Sequence, residues 1–208
     1  MTDKTPPPVP PSAPVPPESP ARADEKRQRI LDAGLALFAR KGYHATAVPE
    51  IAQAASVATG TIYRHFATKD ALLNAVYLHW QSALTAMMET RGDTRLPVAE
   101  RFAGDWHRLV VWHRDHPDAS AFLNSHAAMA ELEDDARAAT HAYRMALQGI
   151  VGAAMDRQEI RMSPPEVTAS VLHHAAAGLA RDARAGALAL TDPVIDAAGR
   201  LLWLGLTR

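Results

Sequence analysis

Apolar residues recur at spacings of three and four through most of the chain, the period of helices with one buried face. Ile30, Leu31, Gly34, Leu35, Leu37 and Phe38 share a face in 22–41, and this helix stops at Gly42, a usual C-cap residue. Ile51, Ala52 and Ala55 mark a short helix after Thr46, with Pro49 in its first turn, where proline is tolerated. Ser56, Val57 and Ala58 form a tight turn with Val57 as its apolar plug. Thr59 is expected to cap a second short helix ending at Phe66, with Ile62 and Phe66 four apart on its back. Thr68 caps a longer helix from Lys69 to about Thr90, with Leu72, Leu73, Val76, Tyr77, Trp80 and Leu84 inward.

The remaining pattern is again helical. Leu96-Pro97 opens a helix that closes at Asp115, and Phe102, Trp106, Leu109, Val110 and His113 share its face. A short helix is expected from Asp118 through Met129, and a long one from about Leu132 to Arg157. Ser163-Pro164-Pro165-Glu166 reads as a capping box with prolines in the first turn, opening a helix that ends near Gly186. Asp192-Pro193 starts the last helix. The expected fold is all-α: a three-helix helix-turn-helix unit followed by a larger helical domain. The boundaries are 1–21 for a tail, 22–68 for the first domain and 69–208 for the second.

Composition narrows this picture. Nine of the fifteen prolines fall in 6–20, PPPVPPSAPVPPESP, where neither helix nor sheet interior is available, so the segment reads as a disordered or polyproline II tail. The absence of cysteine removes disulfides and thiolate metal sites. No apolar run of about 18 residues exists and no signal peptide is evident, so a cytoplasmic location and no membrane partner are expected. Net charge is −1, but residues 21–80 hold eight Lys/Arg against five Asp/Glu, while 81–208 hold thirteen against sixteen. The basic excess therefore sits with the helix-turn-helix, where phosphate neutralisation would need it.

The second short helix has a buried back and a polar, basic, aromatic front: Thr59, Thr61, Tyr63, Arg64 and His65. A helix of this kind enters the major groove of double-stranded DNA. Arg64 has the donors for a bidentate contact to guanine, threonine methyls pack on thymine, and Gly60 permits close approach. The Thr46 hydroxyl is placed to cap the preceding helix and to meet a phosphate. Lys69 stands at a helix N-terminus, unfavourable for a cation unless an anion such as a DNA phosphate sits there. Lys26 and Arg27 are weighed evenly between phosphate contact and solvated charge.

These residues carry a resemblance. ILDAGLALFARKGYHAT, IAQAASVATGTIYRHF and KDALL fall in register with the DNA-binding domain of the TetR (tetracycline repressor) family of transcriptional regulators, which 26–80 resembles. The resemblance implies that Thr46, Tyr63, His65 and Lys69 contact phosphates or the groove edge, and that Thr59, Gly60, Thr61 and Arg64 lie closest to the bases. It implies a homodimer formed by the last two helices, rich in Ala and Gly, and a repressor released from a palindromic operator by a small, largely apolar effector. Ser56 and Ala58 depart from the family's common glycine and serine; a positive φ at Ser56 would strain the turn.

Effector-pocket candidates in the second domain are Trp80, Met87, Trp106, Trp112, Phe122, His126, Tyr143 and His173. Among the histidines only His113 and His116 have ligand-like i, i+3 spacing, with no acidic residue matched to them, so no metal and no cofactor is expected. A catalytic role finds no support: GxSxG, HExxH, a Gly-rich phosphate loop and a paired-acid arrangement are all missing. The competing reading is a helical interaction or enzymatic domain that has lost DNA binding, and Tyr63, Arg64, His65 and Lys69 argue against it.

Overall fold

The computed structural model describes residues 19–90, 93, 95–125 and 130–207. Among these residues there are nine α-helices and no strand: α1 Pro20–Lys41, α2 Val48–Ala54, α3 Thr59–His65, α4 Lys69–Glu89, α5 Val98–Asp115, α6 Pro117–Leu123, α7 Asp134–Asp156, α8 Pro165–Arg184 and α9 Asp192–Thr207. The proline-rich segment lies outside the described residues up to 18. The first helix starts at Pro20, two residues before the expected Arg22, because proline at the first helical position has no N–H to leave unpaired.

In the first three helices α1 packs on α2 and α2 on α3, and α1 also packs on α4. Gly34 makes the α1–α4 approach close: a Cβ there would come within 3.1 Å of Val76 Cγ2. Gly42 closes α1 with φ 81° and a backbone bond to Phe38 O. Ile30, Leu31, Ile51, Ile62, Leu72 and Leu73 fill the core of this unit, each almost wholly removed from water. In the larger half α8 lies against α5, α6 and α7, α4 against α5, α6 and α7, and α9 against α5. The α5–α9 seam is pinned by the Trp106 indole N–H donating to Ile195 O at 2.8 Å.

Helix ends hold two differences from expectation. Thr68 caps α4 as expected, its hydroxyl accepting from the Ala71 N–H at 3.0 Å. Ser163 does not form the expected capping box at α8: Pro164 is the N-cap, and the Ser163 hydroxyl bonds Thr168 Oγ1 at 2.6 Å instead. The box needs the serine three residues ahead of its partner donor at the cap itself, and the second proline moves the helix start one residue on. The short α6 ends at Leu123 and not at Met129, because Asn124 turns its side chain back onto Ser120 O at 2.9 Å; residues 126–129 lie outside the described residues.

Candidate nucleic-acid interface and ligand cavity

The α2-turn-α3 unit is held from behind. Ile62 and Phe66 are buried, Val57 packs on the same core, and Arg27 of α1 places its guanidinium 5.5 Å from the Phe66 ring centroid. Glu50 fixes the start of α2: it accepts from the Ala47 N–H at 3.2 Å and pairs with Lys41 at 2.7 Å. The Lys41 hydrogen bond, then the Ala47 N–H, holds its carboxyl below the usual range. The turn has φ 54° at Ser56, the left-handed region anticipated there.

Two capping expectations fail in this unit. Thr59 is not the N-cap of α3; Ala58 is, without a side-chain bond, and Thr59 occupies the first helical position. Thr46 is not the cap of α2, which is Ala47, and its hydroxyl is not turned to solvent. Thr46 is 2% exposed and donates to Gly42 O at 2.8 Å, with Leu37 O at 3.4 Å. The Thr46 hydroxyl, expected at a phosphate, instead closes the α1–α2 corner from inside.

The front of α3 is presented outward. Tyr63 is 51% exposed, Gly60 and Arg64 are exposed, and Thr59, Thr61 and His65 are half-exposed. Arg64 has no ion-pair or hydrogen-bond partner among the described residues, and a Cβ at Gly60 would meet nothing within 4 Å. Nothing in the chain's own packing thus requires glycine at 60 or occupies the guanidinium at 64. Lys69 rests its ammonium 4.2 Å from the Tyr43 ring centroid, and partial burial lowers its pKa. The Tyr43 hydroxyl in turn bonds the Asp70 carboxylate. This stacked lysine at the start of α4 was invisible in the sequence beyond its awkward placement, because Tyr43 is 26 residues away.

Residues 30–76 match the family model described as bacterial regulatory proteins, tetR family. The match covers less than a quarter of the chain and falls on the helix-turn-helix unit and the first part of α4. Among curated relatives, the HTH-type transcriptional regulator AcrR of Shigella flexneri is 37% identical over 83 residues, 40% of this chain and 35% of that protein. The transcriptional repressor Rv3405c of Mycobacterium tuberculosis is 38% identical over 92 residues, 44% of this chain and 47% of that protein. The matched segments thus span less than half the length of these relatives. The TetR fold extends further: a TetR-family structure from Marinobacter aquaeolei superposes with a TM-score of 0.80 at 21% identity, over 90% of this chain and 98% of that one.

The second-domain candidates divide between cavities. Tyr143 and His173 line a cavity of about 310 Å³ between α4, α7 and α8, with Tyr77, Gln81 and Thr140. Trp106 lines a separate apolar cavity of about 190 Å³ with Phe102, Leu147 and Trp203. Trp80, Met87, Trp112 and Phe122 line neither, and Trp112 and Phe122 are core. His126 lies outside the described residues. Helical spacing marks an inward face but does not separate wall from core, which accounts for these four. In the first cavity the Tyr143 hydroxyl donates to His173 Nδ1 at 3.0 Å, and His173 Nε2 donates to Asn124 Oδ1 at 3.1 Å. Burial, with His174 and Arg144 nearby, lowers the His173 pKa to about 4, so the ring is neutral. Sequence reasoning missed Gln81, Thr140 and Asn124: a polar residue on a mostly apolar helix face is the signal that finds the first two, while Asn124 lies just past the end of α6, where only the fold places it.

Proposed function

We propose that the chain is a homodimeric DNA-binding transcriptional regulator, a repressor that leaves a palindromic operator when a small molecule binds its helical domain. The observation that carries this reading is the division of α3: Ile62 sealed in the core, Tyr63 and Arg64 facing out. The α3 front enters the major groove, Arg64 and the threonines reach base edges, and Tyr63, His65 and Lys69 meet the backbone. Dimerisation is supported by α8 and α9, which expose Val167, Val171, Leu201 and Leu204, apolar side chains that a second copy would cover. Two α3 helices then address half-sites about 34 Å apart or a multiple of it.

The ligand response runs along α4, which carries Lys69 at the DNA end and Tyr77 and Gln81 at the cavity. A ligand preferring one position of α4 shifts the population between DNA-competent and released forms. A small-molecule effector is supported by the fold neighbour from Bacillus subtilis, a FadR solved in complex with stearoyl-CoA, with a TM-score of 0.69. No helix of the described residues is long and apolar enough to cross a membrane, and a cytoplasmic location is part of the reading.

The test is fluorescence anisotropy on a palindromic duplex taken from beside the protein's own gene. Binding is expected to weaken steeply with salt. The Arg64→Ala, Lys69→Ala double variant should bind at least about tenfold more weakly, since one good bidentate contact alone is worth roughly 1–3 kcal/mol. Equal binding by wild type and variant would remove α3 from the interface. Sedimentation should give twice the chain mass of 22.5 kDa at micromolar concentration; a single-chain mass would end the dimer.

A further inference from the structure

We propose that the cavity between α4, α7 and α8 binds a small molecule whose buried end is uncharged and carries an acceptor oxygen, read by the side-chain amide of Gln81. The proposal rests on the ligand-responsive reading above and names the ligand's chemistry.

Gln81 is 3% exposed and lines the cavity, yet its Nε2 has no hydrogen-bond partner. The polar groups nearest it in the same wall are paired with one another. The Tyr77 hydroxyl meets Thr140 Oγ1 at 2.9 Å, Thr140 donates to Ala136 O at 3.0 Å, and Tyr143, His173 and Asn124 form the chain already described. A buried donor left unmade is costly, and natural proteins carry few of them. Among the buried side chains of this wall, this unpaired amide marks where a ligand oxygen finishes the set.

Charge sets the rest of the class. His173 is neutral, held as the Nε2–H form between Tyr143 and Asn124, and the charged lining residues Arg144 and Glu166 are both exposed at the mouth. An ammonium group beside Gln81 would be desolvated with no buried carboxylate to meet it, and a carboxylate there would find no buried cation, since the Arg144 guanidinium is exposed to solvent. The flanking Tyr77, Leu84, Tyr143 and Leu147 provide apolar contact for a ring. The volume of about 310 Å³ suits a compact ligand, at the low end of the roughly 300–1,000 Å³ typical of such sites.

The test uses the full chain and four size-matched probe sets: aromatic amides, benzoates, benzylammonium ions and alkylbenzenes, read by thermal shift and calorimetry. Aromatic amides are expected to bind in preference to the other three. Gln81→Leu should weaken the amides roughly tenfold, the worth of a lost hydrogen bond, while leaving alkylbenzene binding in place. Its melting temperature should equal or exceed wild type, since an unpaired amide is replaced by an apolar group of similar size. Gln81→Met is a second variant should leucine's branch disturb α4. Amides that fail to bind, amides that bind Gln81→Leu or Gln81→Met as tightly as wild type, or a preference for benzylammonium would each overturn the proposal. Anisotropy on the same samples keeps the two readings apart. Amide binding lost with Gln81 but without effect on DNA affinity would support this site and sink ligand response. An amide panel that fails while DNA binding persists would sink this site alone.

Discussion

Ser56 and His113 show how single residues carry cost in this chain. Ser56 sits at φ 54°, where an L-residue loses about 1–2 kcal/mol. Glycine would remove that cost, and its extra freedom in the unfolded chain takes back about 0.5–1 kcal/mol. Ser56→Gly should therefore stabilise the protein by about 0.5–1 kcal/mol, seen as a higher denaturant midpoint at constant slope; no change would mean the turn relaxes around serine. His113 is fully buried, with Nδ1 bonded to Ser120 Oγ at 2.9 Å and its ring 5.4 Å from that of His173. Burial first, then His173 and His116 nearby, lowers its pKa from 6.5 to about 3. The unfolded chain thus binds a proton that the folded chain refuses between those values. Stability from this group is complete above about pH 6.5 and is lost as pH falls towards 3, at up to about 1.4 kcal/mol per unit. His173, lowered to about 4, adds a parallel loss. Melting temperatures taken from pH 7.5 to 5 should fall, and His113→Asn should flatten that slope while retaining a partner for Ser120. An unchanged slope would assign the loss to other groups.

At the scale of elements, the periodic signal was strong where a helix has one buried face and weak where long-range contacts choose the end. The α3 and α4 boundaries were readable because Ile62, Phe66, Leu72 and Leu73 repeat at helical spacing and Thr68 is a true cap. Thr46 departs from its expected role because a hydroxyl before a helix serves equally to cap it or to close the preceding corner, and only the fold brings Leu37 O and Gly42 O within reach. The same limit hid the seam between α5 and α9, where Gly199 was legible only as one small residue among several. A Cβ at Gly199 would stand 2.6 Å from Trp106 Cδ1, and the indole is unable to swing away without giving up its bond to Ile195 O. Gly199→Ala should thus cost about 1–3 kcal/mol through overpacking, against its better helix propensity. Gly205→Ala, six residues on in α9 with nothing within 4 Å of its Cβ, is the control and should gain up to about 1 kcal/mol. Destabilisation of both alike would point to the helix backbone and not to the tryptophan.

At the scale of the whole molecule, the helix-turn-helix unit and the larger helical half share one continuous core, and this bears on how a change in one would reach the other. Phe38 of α1 stacks on Phe122 of α6 with centroids 6.1 Å apart, and Phe122 meets Tyr77 of α4 at 5.9 Å. Asn74 of α4 ties Asp70 O at 2.9 Å to the Glu133 N–H at 2.8 Å, joining α4 to the start of α7. Asn124, at the end of α6, holds His173 in the cavity wall, so the cavity and α1 are one helix apart. Two units so joined should unfold together. All four tryptophans, Trp80, Trp106, Trp112 and Trp203, lie in the larger half, so their fluorescence reports on it alone, whereas far-UV circular dichroism reports on both. At fixed protein concentration the two denaturation curves should coincide. Phe122→Ala removes the shared ring and should lower stability by about 3–5 kcal/mol. It should also split the curves, with fluorescence and dichroism midpoints parting as each half keeps its own core. Split curves in the wild type would mean that Phe38, Phe122 and Tyr77 touch without coupling, and a ligand in the cavity would then need α4 alone to reach α3.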